Sequence, residues 1–197
     1  MSANRVVVLA SGSGSLFQAL VDNQTNIGIE IIALVVDKEV PAVARAQSAS
    51  IPVVEVPMLP NRHDWDLVMA QVLSDLDPDL IVSAGFMRVL GPEVVEKFFG
   101  RLINTHPALL PNFPGAHAVR DALAAGVKTT GTTVHFVDTG VDTGPIISAQ
   151  AVEIHESDDE ATLHERIKQV ERELLVQTVA EIVANKIVLI DGKVVRQ

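Results

Sequence analysis

Through the first half of the chain, short apolar runs alternate with stretches whose apolar positions recur at helical spacing. RVVVLA leads into SLFQALVDN, EIIALVV into PAVARAQSA, IPVVEV into RHDWDLVMAQVLSDL, and DLIVSAG comes next. Near-continuous Val, Ile and Leu runs separated by amphipathic segments predict parallel strands buried on both faces and joined by helical crossovers. The predicted fold class is α/β: an open, mostly parallel twisted sheet with helices on both faces. After Gly100 the pattern changes. RLINTH predicts one more strand, GAHAVRDALAAG a helix closed by Gly126, and TTGTTVHFV with PIISAQAVE a pair of strands, an antiparallel addition in the second half. SDDE, residues 157–160, reads as a capping box of Ser157 and Glu160, opening a helix on which Leu163, Ile167, Val170, Leu174 and Ile182 share a stripe. KIVLIDGKVV reads as a small hairpin turned at Asp191-Gly192. Neither a repeat nor a linker divides the chain, so residues 1–197 are read as a single domain.

Composition narrows the chemistry. A chain of 197 residues can bury a core without staples. It has no cysteine, which removes disulfides, thiolate nucleophiles and Cys-based zinc sites and fits a reducing compartment. Lys and Arg number 15 against 25 Asp and Glu, and the resulting charge of −10 repels polyanions such as DNA or tRNA. No apolar run approaches the roughly 20 residues of a membrane span. MSANRVVVLASGSG lacks the basic segment and cleavage site of a signal peptide. These features predict a cytoplasmic protein of small-molecule ligands, with neither nucleic acid nor membrane as partner; a homodimer is left open.

Four loops concentrate the candidate chemistry. VVVLASGSGS runs a strand through Gly12-Ser13-Gly14-Ser15 into a helix, where backbone amides and the helix dipole favour a phosphate. Phe17 stands where a dinucleotide fingerprint needs a third glycine, so a tight strand-to-helix turn is the competing reading. SAGFMRVLGP leaves another strand end and offers Phe86, Met87, Val89 and Leu90 to a flat ligand, although for Met87 or Val89 alone a core position is the better expectation and Arg88 would then be a solvated rim charge. INTHPALLPNFPG places Asn104 and His106 two residues apart in extended chain, on one side, with Pro107, Pro111 and Pro114 stiffening the segment beyond them. VDTGVDTGP is either a plain hairpin loop or the source of a carboxylate for that histidine, and His135 on the preceding strand is either inward or structural. His63, His155 and His164 lie in polar contexts without metal-site spacing.

In order along nearly the whole chain, SGSGS, AGFMRVLGPEVV, NTHPALLPNFPGAHAVRDAL, GTTVHFVDTGVDTGPII and the acidic terminal helix resemble the phosphoribosylglycinamide formyltransferases that depend on 10-formyltetrahydrofolate. Asn-x-His-Pro with the later Asp-x-Gly-Pro is the most specific part and is shared by the wider folate formyltransferase group. The resemblance implies a Rossmann-like formyltransferase fold, with an N-terminal half on the phosphate and nucleotide side and a C-terminal half on the folate and catalytic side. It implies catalytic roles for Asn104, His106 and Asp142. Ser13, Gly14 and Ser15 would hold the substrate phosphate and Glu171 would lie near its ribose. Folate would lie against Met87, Arg88, Val89, Leu90 and Asn104, with Arg62 near its glutamate tail.

The implied co-substrate is 10-formyltetrahydrofolate, the implied acceptor glycinamide ribonucleotide, and no metal is required. The loop departs from its relatives at Leu16, where asparagine is common, so a phosphate contact at that position is not expected. A 10-formyltetrahydrofolate hydrolase and a non-catalytic nucleotide-binding module are the alternatives; relatives of the first kind carry a preceding regulatory module, and the second leaves Asn104, His106 and Asp142 without a purpose.

Overall fold

The computed structural model describes residues 3–197; Met1 and Ser2, the start of the stretch that lacks signal-peptide features, lie outside them. Seven strands form one sheet: β1 (Asn4–Ala10), β2 (Ile29–Val36), β3 (Val53–Glu55), β4 (Leu80–Ser83), β5 (Leu102–His106), β6 (Thr129–Phe136) and β7 (Ile146–Glu153). Their spatial order is β3-β2-β1-β4-β5-β6-β7. The first five run parallel, and β6 and β7 are added antiparallel, in line with the change of pattern after Gly100. Strand order reverses at β1, between β2 and β4. Crossovers diverge there and leave a crevice at the carboxyl ends of the strands.

The continuous apolar runs are explained by burial on both faces. Val6, Val8 and Ala10 of β1 pack toward α1 (Ser15–Ile27), α2 (Pro41–Ser48) and α6 (Glu160–Val183). Val7 and Leu9 point the other way, toward α3 (Arg62–Leu76) and α4 (Pro92–Val95). All five side chains are fully buried. Trp65 anchors the second layer, and its indole Nε1–H donates to the Val56 carbonyl at 3.1 Å, which satisfies the one polar atom that burial would strand. The helix expected after residue 115 is α5 (Ala118–Ala124), and the short α4 comes after Gly91 in a stretch with no helical periodicity of its own.

Two features of α6 differ from expectation. Its capping box is formed by Asp159 and Thr162, not Ser157 and Glu160: Thr162 N–H donates to Asp159 Oδ1 at 2.8 Å and Asp159 N–H to Thr162 Oγ1 at 2.9 Å. A threonine hydroxyl reaches back to the N-cap amide as a glutamate would, so two adjacent acid-rich registers are equally readable. The buried face runs through Leu163, Ile167, Glu171, Leu175 and Val179; Val170, Leu174 and Ile182 flank it, partly buried. Over so long a helix the 3.6-residue repeat moves the core-facing line off any fixed spacing, and at Glu171 it carries a carboxylate inward. The tail forms the expected hairpin, β8 (Ile187–Ile190) and β9 (Lys193–Arg196), with Asp191 and Gly192 both at positive φ.

Candidate active site

A cleft of about 460 Å³ opens along the carboxyl edge of the sheet. Its walls are the loop after β1, the loop after β4, the end of β5, the loop between β6 and β7, and one face of α6. Asn104 and His106, two residues apart on β5, project to the same side. Asn104 pairs directly with His135 across the antiparallel β5–β6 ladder, which brings the Asn104 amide Nδ2 within 3.3 Å of His135 Nε2.

Asp142 enters from the β6–β7 loop. Its Oδ2 lies 3.3 Å from His106 Nδ1, and its Oδ1 lies 3.5 Å from Asn104 Nδ2 and 3.6 Å from His135 Nε2. The two aspartates of this loop have different work. Asp138 accepts from the Gly140 amide at 3.1 Å and the Thr143 hydroxyl at 2.7 Å, which makes the turn; Asp142, at φ 55°, is thrown toward the histidines. A Cβ on Gly144 would collide with the Phe136 carbonyl, so only glycine lets the loop close this tightly. Burial pushes the Asp142 carboxyl pKa up, but bonds from His135 and the Gly115 amide and the charges of His106 and His135 outweigh it, leaving the carboxyl below its ordinary value.

The proline-rich segment after β5 curls back over this group. Phe113, held at φ 53°, turns its carbonyl to His106 Nε2 at 2.8 Å, and two residues on the Gly115 amide donates to Asp142 Oδ2 at 2.8 Å. With Nε2–H anchored on a carbonyl, the Nδ1 edge is the one that faces Asp142 and the cleft. At 3.3 Å the Asp142 carboxylate faces that ring edge directly, at ion-pair distance. His135 is anchored likewise, Nδ1 to the Phe136 carbonyl at 2.8 Å, so it is both inward and a neighbour of the carboxylate.

At the opposite end of the cleft, Gly12, Ser13, Gly14 and Ser15 line the wall. Every carbonyl of the first three is engaged away from it: Gly12 by the Ala42 amide, Ser13 by Arg45 Nε at 2.8 Å and Gly14 by the Gln18 amide. Among the described residues nothing accepts from the Gly12, Ser13 or Gly14 amides. Gly14 is the N-cap of α1 with φ 72° and no side-chain cap, and a Cβ there would sit 2.7 Å from that of Ala42. Free amides at an uncapped helix start form an anion cradle. Leu16 is only 6% exposed and belongs to the core beneath the loop, which explains why a donor is missing there.

The wall facing this loop is a stripe of α6 on which Glu171, expected near the ribose, is joined by three residues that the sequence motifs do not single out, Glu160, His164 and Lys168, spaced to share one face. Glu171 is buried, and desolvation raises its carboxyl pKa. Burial and the nearby Lys168 hold the His164 imidazole below its usual range. The polar context of His164 in the sequence suggests a surface residue, and its helix face decides otherwise. No cluster of three or more His, Asp or Glu among the described residues is arranged to hold a metal.

In the loop after β4, Phe86 is core, stacked on Trp65 with ring centroids 6.4 Å apart. Met87 and Val89 are not core, as expected for either alone, but 70% and 60% exposed on the cleft wall, because Phe86 and the half-buried Leu90 take the inward positions. Arg88 is no solvated rim charge: its Nε lies 2.7 Å from Asp37 Oδ2. Arg62 does not line the cleft. Its guanidinium lies over Trp65 at 4.5 Å and beside Asp66 at 3.5 Å, the two residues that touch Phe86 and Gly91 of that loop.

A formyl transferase family model matches residues 4–179. The chain is 50% identical over 189 residues to a phosphoribosylglycinamide formyltransferase of Mycobacterium tuberculosis, covering 94% of this chain and 88% of that protein. The solved glycinamide ribonucleotide transformylase 1 of Symbiobacterium toebii is similar with a TM-score of 0.94 at 34% identity, over 99% of this chain and 94% of that one. A formyltetrahydrofolate deformylase from Pseudomonas syringae is similar in fold, with a TM-score of 0.92 at 24% identity over 98% of this chain and 66% of that one.

Proposed function

Because the chain belongs to the formyl transferase family, we propose that its cleft holds glycinamide ribonucleotide at the β1–α1 loop and 10-formyltetrahydrofolate against the β4 loop, with the reacting atoms meeting at Asn104, His106 and Asp142. The protein transfers the formyl group of 10-formyltetrahydrofolate to the amine of glycinamide ribonucleotide, a step of purine biosynthesis. The free amides of Ser13 and Gly14 and the hydroxyls of Ser13 and Ser15 receive the phosphate, and Glu171 accepts from the ribose hydroxyls. Met87, Val89 and Leu90 give the pteridine an apolar wall, and Arg62, which does not line the cleft, would meet the glutamate tail where it leaves it. Such a protein works in the cytoplasm on small molecules alone.

The amine nitrogen attacks the formyl carbon, and the carbonyl electrons move onto oxygen. The oxyanion takes hydrogen bonds from the Asn104 amide and the Nδ1 edge of His106. Each such donor is worth on the order of 10² to 10³ in rate. A proton then leaves the attacking nitrogen and reaches N10 of the folate, the bond from carbon to N10 breaks, and the carbonyl re-forms on the product. Asp142 holds the imidazolium and assists the proton transfer.

The observation that carries this reading is the convergence of three separate segments, β5, β6 and the 111–115 loop, on one carboxylate of the β6–β7 loop, Asp142. Mixing the protein with 10-formyltetrahydrofolate, with and without glycinamide ribonucleotide, and monitoring tetrahydrofolate tests it. Release that requires the acceptor supports the transferase. Release without acceptor means a hydrolase, and no release means a binding module.

A further inference from the structure

Resting on that placement of the folate, we propose that Asp37 is a positioning residue: it ties the Arg88 guanidinium down and so fixes the wall of the cleft formed by Met87, Val89 and Leu90. Asp37 comes directly after the last residue of β2, two strands from the loop it holds. Its side chain is fully buried, whereas that of Arg88 is 36% exposed, and the Nε–Oδ2 distance of 2.7 Å is that of a short charge-assisted bond. A buried carboxylate on one side and a flexible, half-exposed cation on the other mean that the carboxylate is the fixed point.

The rest of the loop is fastened by neutral contacts and one carboxylate. The Met87 amide donates to Ser11 Oγ at 3.0 Å, the Ser11 amide to the Gly85 carbonyl at 3.2 Å, and the Gly91 amide to Asp66 Oδ1 at 3.0 Å. Ser11 follows β1 and directly precedes the anion cradle, so the Met87–Ser11 bond joins the folate wall to the strand that leads into the nucleotide loop, while the Asp37–Arg88 tie braces the same wall against the end of β2. Burial alone would raise the Asp37 carboxyl pKa, but the Ser11 hydroxyl and the Arg88 cation outweigh it and leave it below its ordinary value. Asp37 Oδ1 has no partner at hydrogen-bond distance, so the hydroxyl acts from farther away and Arg88 is the direct partner. An arginine engaged in this way has little left to offer a ligand through Nε. What it contributes to folate binding is the position of its own backbone and of its neighbours.

Three variants test this: Asp37→Asn, Arg88→Gln and the double substitution, each measured for the KM of both substrates, for kcat and for tetrahydrofolate affinity by calorimetry. A tie predicts that each single change raises the folate KM about tenfold and that the double change is no worse than either, since contacting residues couple rather than add. The KM for glycinamide ribonucleotide and kcat stay within about threefold, a split that a general loss of structure would not produce. If Arg88→Gln weakens folate binding while Asp37→Asn does not, Arg88 is a direct ligand and the proposal fails; multiplying effects in the double variant also overturn it. Should Asp37→Asn not fold, Arg88→Gln still decides: exchange of the bonded Met87 and Gly91 amides must quicken while that of β1 does not, and unchanged exchange sinks the tie. Calorimetry with tetrahydrofolate reads the tie even if no formyl transfer is found, so the two readings fail separately.

Discussion

His106 Nε2 lies 2.8 Å from the carbonyl oxygen of Phe113, seven residues farther along the same chain. That contact chooses which edge of the ring does chemistry. The anchored nitrogen carries its proton toward a main-chain acceptor, as an orienting carboxylate does for the histidine of a hydrolase triad, and the other nitrogen is aimed at Asp142. The same loop then returns with the Gly115 amide to Asp142 Oδ2 at 2.8 Å. Pro107, Pro111 and Pro114 are thus part of the site: they restrict a segment whose main-chain groups hold the acid and the base from behind.

Asp142→Asn should lower kcat by roughly 10² to 10⁴, the range of a lost general acid–base partner. An amide is close in shape to the carboxylate but carries no charge, so it cannot stabilise the imidazolium of His106. Folding should change little, since the side chain lies at the surface of the cleft, only about one-eighth exposed but outside the apolar core. Turnover within threefold of the parent protein would remove Asp142 from the mechanism.

Asn104→Ala addresses the oxyanion. The amide lies at the junction of Asp142 and His135, far from the anion cradle, so its loss should slow the chemical step by about 10² to 10³ and leave nucleotide affinity nearly untouched. Single-turnover rates and calorimetric titration separate the two quantities. A loss of affinity with an intact chemical step would assign Asn104 to binding.

His135→Leu should shift the acid side of the pH profile. In the parent protein burial raises the Asp142 pKa, and hydrogen bonding to His135, the Gly115 amide and the nearby histidine charges bring it below its ordinary value. Without His135 the burial effect loses its main opponent, and the carboxyl takes up its proton at a higher pH. Activity that needs the carboxylate is then lost earlier on acidification, and the acid limb of kcat/KM should move to higher pH. A limb that stays in place or moves down would show that His135 does not act on Asp142.

Much of this arrangement was legible in the residues. Continuous Val and Ile runs are enough to predict parallel strands, and strand alternation is enough to pair Asn104 with His106, because both are local consequences of backbone geometry. What escaped depends on contacts distant in sequence. No local rule says that Phe86 would go inward and leave Met87 and Val89 exposed; the stack on Trp65, twenty-one residues earlier, decides it. Nor does spacing reveal that Arg88 meets Asp37, or that His135 faces Asn104, since the first depends on strand order and the second on hairpin register. Glu171 is named by the family resemblance, and Glu160, His164 and Lys168 could have been found with it, because their helical spacing is as regular as that of the apolar stripe beside them.

Glu171 gives the stability of the protein a pH dependence opposite to that of a salt-bridged carboxylate. Its pKa in the folded protein is raised above the ordinary 4.5 by burial, so the folded state holds the proton more tightly than the unfolded chain does. Stability from this group is complete below the unfolded value and is lost as pH rises through the folded one, where a buried charge must form. Glutamine keeps the shape and never ionises. Glu171→Gln should therefore match the parent protein near pH 4 and melt at a higher temperature than it at pH 8. The same change should weaken glycinamide ribonucleotide binding, because a carboxylate accepts from two ribose hydroxyls where an amide offers one oxygen. The extra stability of the variant should accordingly shrink or reverse when saturating nucleotide is added. Melting curves at both pH values, with and without nucleotide, read both effects in one experiment. A constant Tm difference across pH would mean that Glu171 is as readily ionised inside the protein as outside, and an undiminished nucleotide effect would remove it from the ribose site.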